Sequence, residues 1–260
     1  MSDPMDNVYF GTYKLTDETK LAKCLATAFN AGYRKFDCAE LYKNQHLIGN
    51  FVRRVGRINI WLTSKVSFRT IPKGEAKIRE SIEKTIKDLN AYYIDLMLIH
   101  APNERDMEND LLTWKILNEY KHKGLIINIG ISNYNLENLQ EFIESIPNPE
   151  DIYCNQIEFN PFLNRKDLID YCKMKNIKII AYGNLYYTND YIDNLALRMK
   201  KTKQQILAKY AIQKGFDVIL MAEDPEHIWG NSGLDFNISE SDMAIMETFN
   251  DGRSMYKRYL

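Results

Sequence analysis

Short runs rich in β-branched residues alternate with charged segments of helical period, and no other feature restricts the fold of this chain as much. The runs cover 8–10, 33–37, 58–62, 94–99, 126–131, 152–157, 177–182 and 216–220. Between them apolar residues recur at helical spacing, as in Leu21, Leu25, Ala28 and Phe29, and in Ile78, Ile82, Ile86 and Leu89. Thr16 with Glu18 nearby, and Asn135 ahead of Leu136-Glu137, read as helix starts. Gly32 and Gly124 each stand between a helical pattern and a strand, where a left-handed C-terminal cap belongs.

Strict alternation of strand and helix implies a parallel sheet, because each return to the same edge needs a crossover. Eight repeats in 260 residues favour closure over an open sheet. The expected fold is therefore α/β, a (β/α)8 TIM barrel forming a single domain over 1–260. An open dinucleotide-binding sheet would carry G-x-G-x-x-G after its first strand. Gly11-Thr12-Tyr13-Lys14 follows instead, no such triad occurs elsewhere, and no low-complexity linker divides the chain.

Composition narrows the partners. The 34 Lys and Arg against 35 Asp and Glu give no global attraction to nucleic acid or to an anionic membrane. The basic run Arg198-Met199-Lys200-Lys201 reads as a solvated helix end. No stretch of 18 apolar residues occurs, and the acidic start Met1-Ser2-Asp3-Pro4-Met5-Asp6 is unlike a targeting peptide. Cys24, Cys38, Cys154 and Cys172 form no C-x-x-C pair and no zinc-like spacing with histidine. Reduced, buried thiols in a cytoplasmic, monomeric protein without a metal are expected, with a small molecule as partner.

In such a barrel, chemistry sits at the C-terminal ends of the strands. The second run ends in Asp37, with Tyr42 five residues on; Ser64-Lys65 follow the third run and His100 follows the fourth. Each has a bland explanation when taken singly, as a cap, a wet phenol or a surface charge. Closure of the barrel would bring all four to one mouth.

The segment Gly32-Tyr33-Arg34-Lys35-Phe36-Asp37-Cys38-Ala39-Glu40-Leu41-Tyr42-Lys43-Asn44 resembles the aldo-keto reductase signature G-Y-R-x-x-D-T-A-x-x-Y-x-N. Thr63-Ser64-Lys65 and Leu98-Ile99-His100-Ala101-Pro102 resemble the lysine and histidine motifs of that family. Ile129-Gly130-Ile131-Ser132-Asn133-Tyr134, Asn155-Gln156-Ile157-Glu158-Phe159-Asn160-Pro161 and Ala181-Tyr182 continue the likeness, in order, from Gly11 to about Asn231.

The resemblance implies an NAD(P)H-dependent reductase of aldehydes or ketones, with a catalytic set of Asp37, Tyr42, Lys65 and His100. Tyr42 would give the proton that a carbonyl oxygen needs once hydride has reached its carbon. Lys65 would lower the pKa of that phenol, Asp37 would hold Lys65, and His100 would orient the carbonyl. Ser132, Asn133 and Gln156 would grip the nicotinamide carboxamide, Tyr182 would stack on its ring, and Asn231 would meet the adenine. An alternative is a non-catalytic barrel of the same descent serving as a binding or regulatory subunit, since one fold hosts many functions. A hydrolytic or phosphate-handling barrel lacks support, with no metal-ligand cluster and no G-x-S-x-G.

The chain departs from the resemblance at the 2′-phosphate motif of NADPH. Met221, Ala222 and His227 replace its lysine, serine and arginine, and Glu223 and Asp224 add negative charge. Loss of fixed cations predicts no strong preference for NADPH over NADH, with the two acids free to accept from ribose hydroxyls. Ser67 and Ala101 occupy positions where the family often has aromatic rings, while Tyr13 keeps one, and Gly183-Asn184 replaces Ser-Pro. The N-terminal hairpin that closes the barrel floor is nearly absent, and few residues follow Asn250. A wide, shallow substrate pocket is the expectation.

Overall fold

The computed structural model describes residues 4–103 and 106–257. Strand β1 (Val8–Gly11) leads to helix α1 (Glu18–Asn30), β2 (Lys35–Asp37) to α2 (Gln45–Val55), and β3 (Trp61–Val66) to α3 (Glu75–Asp88). Then come β4 (Ile94–Ile99) and α4 (Met107–His122), β5 (Ile126–Ser132) and α5 (Leu136–Ser145), and β6 (Ile152–Glu158) and α6 (Lys166–Met174). Strand β7 (Lys178–Tyr182) precedes α7 (Asp190–Met199) and α8 (Lys203–Gln213), and β8 (Asp217–Leu220) precedes α9 (Pro225–Ser232) and α10 (Glu240–Glu247). The strands close into an eight-stranded barrel in chain order. Every pairing is parallel, including that of β8 with β1. The expected (β/α)8 barrel is what forms.

Alternation along each strand separates two cores. Tyr9, Leu96, Leu98, Cys154, Ile180 and Ile219 form one cluster. Their neighbours Val8, Phe10, Met97, Ile99, Ile179 and Leu220 belong to the larger cluster with the helices. Apolar burial in both layers is the main stabilising contribution, at roughly 25 cal/mol per Å². At the N-terminal end, Lys35 lies 5.0 Å from the Tyr9 ring centre and 3.5 Å from Asp217, and Trp61 packs 5.9 Å from Tyr153. A short 3₁₀ turn, Pro4–Asn7, precedes β1.

The third strand differs from expectation. It runs from Trp61 to Val66, while Arg57–Asn59 form a 3₁₀ turn and Ile58 is 87% exposed. The cause lies far off in sequence. The guanidinium of Arg57 donates to Ile60 O at 2.6 Å, Tyr93 O at 2.9 Å and Asp95 Oδ2 at 2.5 Å, and Asp95 accepts from Leu62 N. These contacts hold 57–60 in a turn, so Ser64 and Lys65 lie within β3 rather than after it. The cap of α1 also moves by one residue: Asp17, not Thr16, accepts from Lys20 N at 2.7 Å. Asn135 caps α5 as expected, and Gly32 and Gly124 take φ of 95° and 71° after α1 and α4. All four cysteines are buried and unbridged. Among the described residues no helix is long and apolar enough to cross a membrane.

Candidate active site

The register of the barrel sets the level of the polar side chains. Gly11 pairs with Asp37, Asp37 with Thr63, and Lys65 with Leu98. Ser132 pairs with Gln156, and Glu158 with Tyr182. Near the C-terminal ends of β2 and β3, the Lys65 ammonium donates to both oxygens of Asp37 at 2.8 and 2.7 Å and to Cys38 O at 2.9 Å. It also lies 3.3 Å from the Tyr42 phenol oxygen. Lys65 and Asp37 are only 1% and 2% exposed, so this pair depends on its internal bonds rather than on water. A second donor, Gln156 Nε2, reaches Asp37 Oδ1 at 2.9 Å from across the barrel.

Tyr42 ends a 3₁₀ turn, Glu40–Tyr42, that follows β2. Two side chains of the same motif fix this turn. Glu40 accepts from Ser67 N at 2.8 Å and Thr70 Oγ1 at 2.6 Å, and Asn44 donates to Thr12 O and Leu15 O at 2.8 and 2.9 Å. His100 follows β4, its N–H donating to Val66 O at 3.1 Å. Its ring meets Tyr42 edge-on with centres 5.9 Å apart, and Phe68 at 6.0 Å.

Ser132, Asn133, Gln156 and Tyr182 form a linked wall. Tyr182 OH donates to Asn133 Oδ1 at 2.5 Å, and Asn133 Nδ2 donates to His100 O at 2.8 Å and Ser132 Oγ at 3.1 Å. Ser132 Oγ and Asn133 N both donate to Gln156 O. The left-handed backbone of Asn133, φ 64°, turns its amide towards β4 and β7.

These groups surround a cavity of about 430 Å³, within the usual size range of ligand sites. Asp37, Tyr42 and His100 line one part, and Ser132, Asn133, Gln156 and Tyr182 another. Lys65 stands behind Asp37 and Tyr42. Asn231 lies on α9, buried, and is not among the residues lining this cavity.

The Tyr42 phenol differs from expectation in its acidity. Burial, and next the Asp37 carboxylate, push it well above the usual tyrosine range. The Lys65 ammonium, 3.3 Å away, does not outweigh these two effects.

The pocket carries more rings than the sequence led us to expect. Phe68, Tyr186, Met255 and Tyr256 line it, and none was singled out from the sequence. Phe68 supplies a ring one residue beyond Ser67, a signal that counting from Lys65 could have found. Met255 and Tyr256 reach the cavity where Glu158 accepts hydrogen bonds from 254–256.

Beyond β8, Met221 lines the cavity. The two acids that follow are already engaged. Asp224 caps α9 by accepting from Glu226 N at 2.8 Å, and Glu223 is ion-paired with Lys20 of α1. Lys20 thus brings a cation to this corner, while Lys214 is paired with Glu247.

The model of the Aldo/keto reductase family matches residues 7–251. An uncharacterized oxidoreductase of Schizosaccharomyces pombe is 32% identical over 246 residues, covering 90% of this chain and 86% of that protein. Methylglyoxal reductase DkgB of Salmonella typhi is 30% identical over 227 residues, covering 85% and 84%. The crystal structure of MGS-M4, an aldo-keto reductase enzyme from a Medee basin deep-sea metagenome library, superposes with a TM-score of 0.89 at 28% identity, covering 96% of this chain and 93% of that one. Agreement in barrel topology, in matched length and in oxidoreductase relatives leads to one assignment: this chain belongs to the aldo/keto reductase family, and it is an oxidoreductase.

Proposed function

We propose that the protein reduces aldehydes or ketones to alcohols at the cavity between Tyr42, His100 and Tyr182, using a nicotinamide dinucleotide. The observation that carries this reading is the phenol of Tyr42, 3.3 Å from a buried ammonium that is itself held by Asp37, on the wall of a cavity shared with His100. The opposite wall suits the cofactor. Ser132, Asn133 and Gln156 present the hydroxyl and amide groups that a carboxamide needs, and Tyr182 offers a ring beside them. When bound, the nicotinamide supplies the hydride that no side chain can give.

The chain's own residues do the rest. His100 stands beside Tyr42, so a carbonyl oxygen entering between them meets two polar groups that orient it. Tyr42, held protonated by burial, gives its proton to that oxygen as the alcohol forms. The phenolate left behind is stabilised by the Lys65 ammonium, and Asp37 keeps that ammonium in place. The aromatic lining from Tyr13, Phe68 and Tyr186 excludes water from the reacting atoms.

The cofactor is proposed to be either NADH or NADPH, without the strong preference for NADPH that a fixed phosphate cradle creates. Lys20 is the cation available near Glu223, and it is shared with that carboxylate. The test is consumption of NADH and of NADPH by the purified protein with a panel of aldehydes and ketones. Carbonyl-dependent consumption that Tyr42→Phe abolishes is expected; consumption that survives Tyr42→Phe would overturn the assignment of the acid.

A further inference from the structure

Asp110 stands on α4, away from the residues that line the cavity, and is fully buried. A carboxylate taken out of water needs donors to offset the loss. Both of its donors go to one oxygen: Asn103 N reaches Oδ2 at 3.0 Å and Tyr134 OH reaches it at 2.7 Å. Oδ1 is buried with no hydrogen-bond partner among the described residues. A group so under-bonded for its burial contributes poorly to stability. Its place in the chain points to another role.

The two donors belong to the two connections that carry the site. Asn103 comes three residues after His100, between β4 and α4, and Tyr134 comes directly after Asn133, between β5 and α5. Asp110, in the first turn of α4, is bonded to both. The same connections meet again nearer the cavity, where Asn133 Nδ2 donates to His100 O at 2.8 Å. Tyr134 O in turn accepts from Asn155 Nδ2 at 2.8 Å, beside Gln156.

Tyr134 is suited to this part. It is wholly buried, and its ring packs 5.3 Å from that of Phe142. Burial, and next the Asp110 carboxylate, push its phenol well above the usual tyrosine range, so it remains a donor at neutral pH. A phenylalanine would fill the same space and lack only the bond to Asp110.

We propose that Asp110 and Tyr134 form a strut behind the cavity, with Asp110 a positioning residue that fixes the His100 connection against the Asn133 connection. The strut thereby sets the carbonyl-orienting ring relative to the nicotinamide wall, and this catalytic half rests on the reductase reading above. A misplacement of about 1 Å can cost on the order of a hundredfold in rate. A loosened strut therefore shows in kcat more than in affinity.

The experiment compares the full chain with Tyr134→Phe, Asp110→Ala and Asp110→Asn. One arm reads the free protein by NMR, with 13C-labelled histidine, of which the chain has four, and with His100→Gln to assign the signal. The His100 ring lies edge-on to Tyr42 and Phe68 at 5.9 and 6.0 Å, so ring currents make its resonance sensitive to small displacements. Tyr134→Phe and Asp110→Ala should move that resonance. Asp110→Asn, whose one oxygen can accept both bonds, should stay close to the parent.

The second arm is steady-state reduction of propionaldehyde. Tyr134→Phe should lower kcat about tenfold, with KM and nucleotide affinity changing less than about twofold. Tyr120→Phe is the control. The Tyr120 hydroxyl donates to Glu83 at 2.8 Å between α4 and α3, so this variant loses a bond of the same kind far from the cavity. It should leave both readouts at the parent's values.

An unmoved His100 resonance in Tyr134→Phe overturns the strut, whatever the rate does. A moved resonance with unchanged kcat overturns the catalytic half. Equal losses in Tyr134→Phe and Tyr120→Phe would assign the effect to general destabilisation and overturn it as well. Should Asp110→Ala fail to fold, Tyr134→Phe decides both points. If the parent protein reduces no carbonyl with either nucleotide, the reductase reading and the catalytic half fall together, and the resonance still decides the strut.

Discussion

Lys65 and Asp37 face each other near the ends of adjacent strands, with the ammonium 2.7 and 2.8 Å from the two carboxylate oxygens and both side chains almost wholly buried. Removing one partner strands the other charge. We predict that Lys65→Met and Asp37→Leu each destabilise the fold by about 3–5 kcal/mol, while the double variant Asp37→Leu with Lys65→Met costs clearly less than the two single losses added. Denaturant melts of the three proteins measure this. Additive losses would mean the pair is not coupled.

Tyr42 is held protonated by burial and by Asp37. Its proton is therefore available across the whole neutral range, and the reduction rate should stay level from neutral into mildly alkaline pH. The rate falls only where the phenol at last ionises, above the ordinary tyrosine range. Tyr42→Phe should lower kcat by about 10²–10⁴-fold with nucleotide affinity nearly unchanged. A basic limb close to neutrality, lost in Tyr42→Phe, would show that the phenol is far more acidic than its surroundings imply.

Much of this was legible in the chain because strand alternation and strand ends are local properties. Asp37 and His100 needed only the end of an apolar run to be found, and closure of the barrel then brought them together. The third strand slipped because Ile58-Asn59-Ile60 looks apolar, and the Arg57–Asp95 pair that turns it outward joins residues 38 apart. Lys20 and Glu223 are 203 apart, so the cation at that corner carried no local sign. Glu158 was visible as a motif member but not as the acceptor for 254–256, because two of the groups it binds are backbone N–H groups, which any residue supplies. The acidity of Tyr42 was read from one neighbour, Lys65, whereas burial dominates it, and burial is set by the whole cavity.

Asp110 lies outside the site and gives a separate test of pH dependence. Its carboxyl is fully buried; Oδ2 accepts from Asn103 N at 3.0 Å and from Tyr134 OH at 2.7 Å. Burial raises it from 3.8 to about 6 despite those two bonds. The folded state then binds a proton more tightly than the unfolded one, so stability is highest below the unfolded value and declines as pH rises through about 6. At about 1.4 kcal/mol per pH unit, the cost to the folded state at neutral pH is about 3 kcal/mol. Asp110→Asn should flatten the fall in Tm between about pH 4 and pH 6. An identical fall in the variant would assign it to other groups.

The last prediction concerns the nucleotide. NADPH differs from NADH by one phosphate of nearly two negative charges, so discrimination requires a cation or donor fixed at that corner. Met221 and Ala222 provide none, and Asp224 is committed to capping α9. Lys20 is close, yet its ammonium is held by Glu223 and both side chains are about half exposed. We predict that the protein binds both nucleotides, that added salt weakens NADPH more than NADH, and that Lys20→Ala removes most of this salt sensitivity. Glu223→Ala should act in the opposite direction, because it frees the ammonium: NADPH affinity rises several-fold while NADH affinity holds. Quenching of intrinsic fluorescence on titration reads both affinities, and Trp229, half-exposed on α9, is suitably placed to report. Tight, salt-sensitive NADPH binding that survives Lys20→Ala, together with feeble NADH binding, would show that another cation recognises the phosphate.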